Sequence, residues 1–256
     1  MQPISATIIT RNEEFHIADA LKSLSWVDEM VVVDSGSEDR TLEICREFTD
    51  KIFQRDWSGF ADQKNYAVQK ASNDWILSLD ADERISPELK IEIESAARTG
   101  FTLSGYRIPR KAFFMGRWIC HGDWYPDYQL RLFNRRDGEW QGSRVHESVK
   151  VQGPAGRLNG EIHHYTYRNF SEYLHKLETY SSLAALDYRQ RGRKASPWML
   201  LGKPLGVFLR AYLLKRGFLD GAAGFAVAAM GAVSVFFKFA KLYELQKGFQ
   251  WDLPAK

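Results

Sequence analysis

Two aspartates separated by one residue, Asp80 and Asp82, close the apolar run Leu77-Ser78-Leu79 and are followed at once by Glu83. Neighbouring carboxylates repel one another unless a cation stands between them. Mg²⁺ and Mn²⁺ take oxygen ligands and bridge substrate phosphates. There they act as Lewis acids on the charge that builds on a leaving group. In the extended chain the two-residue period of a strand turns both carboxylates the same way. An Asp-x-Asp is common by chance, so its weight comes from its place at the end of a buried strand.

Asp34 ends a second such run, Val31-Val32-Val33, before Ser35-Gly36-Ser37. A carboxylate there can accept from a nucleobase N–H or a ribose hydroxyl. The alternative is an N-cap for the following helix, a task Ser37 or Asp39 can also perform. His163 and His164 are adjacent, so in a strand only one reaches a given site. His164 is a candidate third metal ligand or diphosphate contact, against the plainer role of a hydrogen-bonded structural histidine. The chain has no Walker A pattern and no GxGxxG after its first strand-like run, which disfavours a kinase-type phosphate loop and a dinucleotide fold.

These residues require a frame. Residues 4–10, 30–33, 51–54 and 75–79 read as strands. Between and after them, 13–24, a segment ending near 48, 60–71 and 87–98 read as helices, the last opened by Pro87 at its first turn. That alternation predicts an α/β sheet of parallel strands with right-handed crossovers. Such sheets bind ligands at the carboxyl ends of their strands, where Asp34 and Asp80 fall. Beyond residue 100 the expected strands, 106–118, 129–134 and 145–151, are joined by irregular stretches dense in Gly, Arg, Trp and His. Irregular sequence hung on a regular scaffold is where substrate sites form. Trp118, Trp124, Tyr125 and Trp140 can stack on sugar rings, with core packing as the safer role for each. Residues 170–189 read as a helix.

Charge is divided along the chain. The whole carries +3, but from Arg189 onward twelve Lys and Arg face three acids, leaving −6 on the first 188 residues. The low overall charge gives no sign of nucleic acid. The basic, apolar tail predicts contact with an anionic membrane surface. Residues 221–237 are uncharged and rich in Ala and Gly; 205–216 mix apolar residues with Arg210, Lys215 and Arg216. The expectation is peripheral or monotopic attachment, with a bilayer span or a buried core helix as alternatives. Cys45 and Cys120 form no CxxC pair, so neither a zinc knuckle nor a disulfide framework is expected, and a reducing cytoplasm fits. The opening MQPISATIIT enters strand-like sequence directly, without the pattern of a cleaved leader.

Four motifs in order, Thr7-Ile8-Ile9-Thr10-Arg11-Asn12-Glu13-Glu14, Val33-Asp34-Ser35-Gly36-Ser37-Glu38-Asp39-Arg40-Thr41, Lys64-Asn65 and Asp80-Ala81-Asp82, resemble the family 2 inverting glycosyltransferases of the GT-A fold. Further runs are similar to a lipopolysaccharide-core β-1,4-glucosyltransferase subgroup. These are Tyr125-Pro126-Asp127-Tyr128-Gln129-Leu130-Arg131-Leu132-Phe133, Val145-His146-Glu147, His164-Tyr165-Thr166-Tyr167 and Gly217-Phe218-Leu219-Asp220-Gly221. The resemblance implies that Thr10, Glu13 and Asp34 line a uridine pocket and that Lys64 approaches uracil or diphosphate. Asp80 would face ribose and metal, and Asp82 would hold the metal. It implies a UDP-sugar donor, Mg²⁺ or Mn²⁺, a lipid-linked saccharide acceptor carrying the inner-core heptose, and work at the cytoplasmic face of the bacterial inner membrane.

An inverting transfer needs a group to take the acceptor hydroxyl proton. Many members of the family this sequence resembles carry the base in a Glu-Asp pair, which this chain lacks at the place where the resemblance would put that pair; Glu147 is then the first candidate, Asp127 the second and Asp123 the third. For each, a salt bridge to Arg131, Arg135, Arg136 or Arg144 is the plainer role. The resulting expectation is a GT-A catalytic domain over 1–168 and a helical, membrane-associating region over 169–256. Its function would be transfer of a hexose, glucose from UDP-glucose by the resemblance, to a lipopolysaccharide inner core. Two alternatives stand beside it: a haloacid-dehalogenase-like phosphohydrolase with Asp80 as nucleophile, and a non-catalytic membrane-surface module.

Overall fold

A computed structural model describes residues 1–143, 146–167 and 169–249, without the side chains of Ser143 and His146. Arg144, one expected ion-pair partner, and Val145, the expected start of a strand, lie outside the described residues. The chain forms two compact units, residues 1–112 with 126–166, and 113–125 with 167–256.

The elements run β1 (Ile4–Thr10), α1 (Ile17–Ser23), β2 (Glu29–Asp34), α2 (Thr41–Arg46), β3 (Ile52–Gln54), α3 (Phe60–Lys70), β4 (Trp75–Asp80), β5 (Glu83–Ile85) and α4 (Pro87–Thr99). Then come β6 (Gly105–Phe114), β7 (Arg117–Trp118), β8 (Asp127–Asn134), β9 (Gly138–Ser143), β10 (His146–Val151), β11 (Ala155–Arg157) and β12 (Ile162–His164). The first unit is an α/β sheet in the order β3-β2-β1-β4-β8-β6-β12-β5. Its β3-β2-β1-β4 half is parallel, as the alternation of strands and helices requires. The other half is mixed: β8 runs antiparallel to both β4 and β6, and β12 lies parallel to β6 and antiparallel to β5.

Both faces of the parallel half are covered, which is why its strands are near-continuous apolar runs. On one face Ile4, Ala6, Ile8, Leu77 and Leu79 pack with Ile17 and Leu21 of α1 and Leu89 and Ile93 of α4. On the other, Val31, Ile76, Leu130 and Phe133 pack with Val68 of α3 and Trp140 of β9. Helix α4 starts as its sequence dictates, with Pro87 in the first turn and the Ser86 hydroxyl accepting the Leu89 N–H at 3.2 Å. Gly160 lets its loop lie directly on that turn, since a Cβ there would stand 2.3 Å from the Leu89 Cα.

Helix α1 is shorter than its apolar spacing predicts, beginning at Ile17 and not at residue 13. Residues 11–14 instead form a loop turned by Asn12, whose φ of 56° is left-handed. That loop is stitched to the one after β2. Asn12 N–H donates to Ser37 Oγ at 2.9 Å, Glu13 N–H to Thr41 Oγ1 at 2.8 Å and Glu14 N–H to Asp39 Oδ2 at 3.2 Å; in return Glu38 N–H donates to Asn12 Oδ1 at 2.8 Å.

The second unit contains α5 (Phe170–Gln190), α6 (Pro197–Leu209), a π-helical turn Arg210–Leu214, a 3₁₀ turn Gly217–Asp220 and α7 (Gly221–Gln246). The helix over Gly217–Gln246 is long and apolar enough to cross a membrane by length and composition. Within the unit, Ala223, Val227 and Met230 of α7 pack with Phe114, Ile119, Tyr173 and Leu177. Phe239, Leu242 and Leu245 pack with Ala185 and Ala195. The buried Asp220 ties this unit to its own 117–123 loop. Its Oδ2 accepts from the Cys120 and His121 N–H groups at 2.9 and 2.8 Å, and its Oδ1 faces His121 Nδ1 at 3.0 Å. Gly224 is obligatory beside that turn, because a Cβ would stand 1.9 Å from the Gly217 carbonyl oxygen.

Candidate active site

The parallel strands deliver the candidate carboxylates to one edge of the sheet. In register, Thr10 pairs with Asp34 and Ile9 with Asp80, so β2, β1 and β4 end side by side. Because Ile9 and Thr10 are successive residues, Asp34 and Asp80 leave the sheet toward opposite faces. Asp34 is fully buried and committed to its own loop. Its Oδ2 accepts from the Gly36 and Ser37 N–H groups at 3.0 Å each, and its Oδ1 from the Ser37 hydroxyl. Ser37 and Asp39 do not cap α2 in the expected way: the residue before that helix, Arg40, makes no side-chain cap. The Asp39 carboxylate receives the Thr41 N–H at 3.0 Å. Thr10 is different. Its hydroxyl is buried at the strand end without a hydrogen-bond partner among the described residues, so it is a polar atom open to a ligand.

Asp80 lies at the centre of a charged cluster. Lys64 Nζ stands 2.8 Å from its Oδ1 and Arg131 Nη2 2.6 Å from its Oδ2. Burial pushes the Asp80 carboxyl up, but Arg131 and Lys64 outweigh it and hold the group well below the usual carboxylate range. Lys64 also reaches Glu147 Oε1 at 3.0 Å and lies 4.3 Å over the Trp140 ring. Its neighbour Asn65 explains the Lys-Asn motif. The Asn65 amide makes two 2.9 Å hydrogen bonds to the Trp140 backbone, one each way, and so fixes α3 against β9. Lys64 is then aimed across to the end of β4.

Glu83 is the hidden hub of this cluster. It is fully buried, receives the Asp80 N–H at 3.0 Å and faces Arg131 Nη2 at 2.9 Å and Arg110 Nη1 at 3.1 Å. Burial lowers the proton affinity of Arg131, but Asp80 and Glu83 more than reverse this, so the guanidinium is firmly charged. Its Nε and Nη1 are buried without partners among the described residues. Arg110 continues the chain of charges to Asp127, donating through Nη2 at 2.7 Å and Nε at 3.0 Å to one oxygen while Gln129 donates to the other at 2.7 Å.

The two aspartates of the Asp-x-Asp have different partners. Strand β4 ends at Asp80, and residues 81 and 82 turn into β5. The two-residue alternation assumed for an extended chain therefore stops one residue too early. Asp82 pairs with His164, whose Nε2 lies 3.2 Å from Asp82 Oδ2, and the Asp82 carbonyl accepts the Tyr165 N–H at 2.9 Å. Asp80, Asp82 and His164 thus do not form one ligand set. Among the described residues no group of three or more His, Cys, Asp or Glu side chains stands ready to hold a metal ion. The Asp82–His164 pair by itself does fit one. Cis donors on an octahedral ion at about 2.1 Å lie about 3 Å apart, and such an ion usually takes only one or two protein ligands plus substrate phosphates.

The base candidates are all ion-paired, and among the described residues their partners are not Arg131, Arg135 or Arg136. Glu147 is held by Lys64, Asp127 by Arg110, and Asp123, in the second unit, by Arg210 and Lys215 at 2.7 and 2.9 Å. Burial raises the Asp123 carboxyl, and the bonds from Arg210 and Lys215 bring it below its ordinary value. Glu13 contributes its backbone to the loop stitch. Trp140 packs in the core beneath Lys64, and Trp124 packs among Phe114, Tyr167 and Tyr173. Sequence reasoning passed over Glu83, Arg110 and the central role of Arg131. The available signal was Arg131 itself, a lone charge in the apolar strand Leu130-Arg131-Leu132-Phe133, because an arginine almost never enters a core unpaired.

Residues 5–147 match the model of the glycosyl transferase family 2. An uncharacterized glycosyltransferase of Rickettsia typhi is 33% identical over 96% of this chain and 88% of its own length. The lipopolysaccharide core biosynthesis glycosyltransferase LpsC of Rhizobium meliloti is 30% identical over 94% of this chain and 92% of its own. Among solved structures, S. aureus TarS 1-349 in complex with UDP-GlcNAc superposes with a TM-score of 0.52 at 14% identity, covering 98% of this chain and 93% of that one. That likeness is one of fold, GT-A. A glycosyltransferase has no need of Asp80 as a phosphate-accepting nucleophile, and the phosphohydrolase reading falls away. The chain belongs to the family 2 glycosyltransferases.

Proposed function

We propose that this glycosyltransferase moves a hexose, glucose from UDP-glucose, onto a lipopolysaccharide inner-core saccharide at the cytoplasmic face of a bacterial inner membrane. The observation that carries the reading is the Lys64–Asp80–Arg131 cluster at the carboxyl end of β4, beside the Asp82–His164 pair. Two fixed cations next to an acid suit a ligand that brings both a diphosphate and ribose hydroxyls. The UDP-GlcNAc complex of TarS and the role named for LpsC support a nucleotide-sugar donor and a saccharide acceptor.

Asp82 and His164 would hold Mg²⁺ or Mn²⁺, which supplies Lewis-acid neutralisation of the leaving diphosphate. Thr10 offers its unpaired hydroxyl to the nucleoside, and Glu13 and Asp34 shape the loops around it. Asp80 faces the ribose. Lys64 and Arg131 direct positive charge at the departing oxygen. Glu147 takes the proton of the acceptor hydroxyl as the new O–C1 bond forms and the C1–O bond to phosphate breaks, its electron pair leaving with UDP. Glu147 suits this task better than Asp127, because Arg110 and Gln129 occupy both Asp127 oxygens. Lys64 fixes Glu147 in place at 3.0 Å.

The test is UDP release by the purified protein with a panel of UDP-sugars, with and without chelator, in the presence of heptose-bearing inner-core acceptor. UDP-glucose turnover that requires Mg²⁺ or Mn²⁺ and is lost in Glu147→Gln is the expected result. Turnover indifferent to chelation would remove the metal from the scheme. A preference for another donor would replace glucose.

A further inference from the structure

Helix α6 presents an apolar stripe outward. Trp198, Leu201, Leu205 and Leu209 are spaced by three or four residues and so share one face. They are 83, 72, 58 and 41% exposed, and no residue of α6 is buried. The following turns add Leu213, Leu214, Phe218 and Leu219, all exposed. This inverts the normal arrangement, in which a surface helix turns its apolar stripe to the core. A contiguous exposed patch of large apolar side chains marks an interaction surface.

The charge around the stripe selects the partner. From Arg189 to Leu219 there are eight Lys and Arg and no Asp or Glu. Arg191 pairs with Asp187, and Arg210 and Lys215 with Asp123. Lys194, Lys203 and Arg216 have no acidic partner among the described residues and are exposed. A second copy of the chain would bring the same cations against themselves, because a two-fold interface apposes identical patches. An anionic bilayer meets both features: its acyl boundary takes the Trp and Leu side chains, and its headgroups take the cations.

We propose that α6 and the turns after it, residues 197–219, are the element that inserts into an anionic membrane surface, lying in its plane, while α7 serves as the packing core of its unit. The inference rests on the membrane placement in the proposed function and names the surface that achieves it. Trp198 sits at the interface level, where its ring is apolar and its N–H wet.

The test uses the full-length protein and sedimentation with vesicles of phosphatidylcholine alone or doped with phosphatidylglycerol. The protein should pellet with the doped vesicles and far less with the neutral ones, with binding falling as salt rises. Each cation near such a surface contributes roughly fivefold in partitioning, so Lys194→Gln, Lys203→Gln and Arg216→Gln together should weaken binding on the order of a hundredfold. Trp198→Ser, Leu201→Ser and Leu205→Ser together should abolish it. Circular dichroism of each variant reports folding, and UDP release is measured on the same samples, so a failure of the transferase reading registers separately. Equal binding of neutral and doped vesicles, or full binding by the serine variant, overturns the proposal. So does a concentration-dependent dimer in light scattering that the serine variant loses, which would assign the stripe to a second copy.

Discussion

Lys64 Nζ lies 2.8 Å from Asp80 Oδ1, joining the middle of α3 to the end of β4 through two side chains more than a dozen residues apart. The Lys64 side chain is 3% exposed, so its charge is balanced by protein groups and hardly by water. In Lys64→Met the Asp80–Glu147 pair loses its shared counter-ion. Transfer should fall about 10²–10³-fold in kcat, the usual effect of removing one fixed charge donor from a site of developing negative charge. Lys64→Arg should recover part of it. Steady-state kinetics decide the matter, and an unchanged kcat in Lys64→Met would remove the residue from the chemistry.

Glu83→Gln addresses the hub behind that pair. Glu83 is fully buried and shared by Arg110, Arg131 and the Asp80 N–H. Losing its charge leaves two guanidinium groups short of a counter-ion in a buried place, which costs about 3–5 kcal/mol. Urea unfolding at pH 7 should show a loss of that order. A loss below about 0.5 kcal/mol, the range of ordinary surface substitutions, would mean the arginines are satisfied elsewhere.

The parallel half of the sheet was legible because its signals are local. Runs such as Val31-Val32-Val33 state their own burial, and Pro87 after Ser86 states a helix start. The cluster around Asp80 was only half legible. Lys64 and Asp80 were named as separate contacts, but their pairing depends on α3 docking across the sheet, which Asn65 secures from 75 residues away in sequence. Glu83 went unread because a Glu after Asp-x-Asp resembles a solvated turn until the antiparallel strand carrying Arg131 is laid beside β4. The different partners of Asp80 and Asp82 were not legible because nothing in the sequence marks the last extended residue of a strand.

Stability should depend on acid through Glu29. Burial raises this carboxyl, but Lys51, Ser5 and the Ser72 N–H and hydroxyl outweigh it and bring it down to about 2 from an ordinary 4.5. A carboxyl with a depressed folded pKa contributes stability above its unfolded pKa and loses that contribution as pH falls through the folded value. Glu29→Gln should therefore cost about 1–2 kcal/mol at pH 7, less than the whole shift would give because water screens the exposed Lys51. The gap between wild type and variant should close between pH 4.5 and 2. Paired denaturation curves across that range test the sign, and a gap that widens on acidification would contradict it.

Asp82 and Asp80 should prove separable in their effects on metal and nucleotide. Asp82 and His164 face each other at 3.2 Å, the spacing of two cis ligands on one ion, whereas both Asp80 oxygens are already held by Lys64 and Arg131. Asp82→Asn should weaken Mn²⁺ affinity on the order of a hundredfold, and His164→Ala on the order of tenfold. Asp80→Asn should disturb Mn²⁺ less than Asp82→Asn does and disturb UDP affinity more. Calorimetric titration of Mn²⁺ in the presence of UDP, then of UDP at saturating Mn²⁺, distinguishes the two roles. If Asp80→Asn proves the more damaging to Mn²⁺, Asp80 and not Asp82 would be the principal ligand, and Lys64 and Arg131 would have to release it.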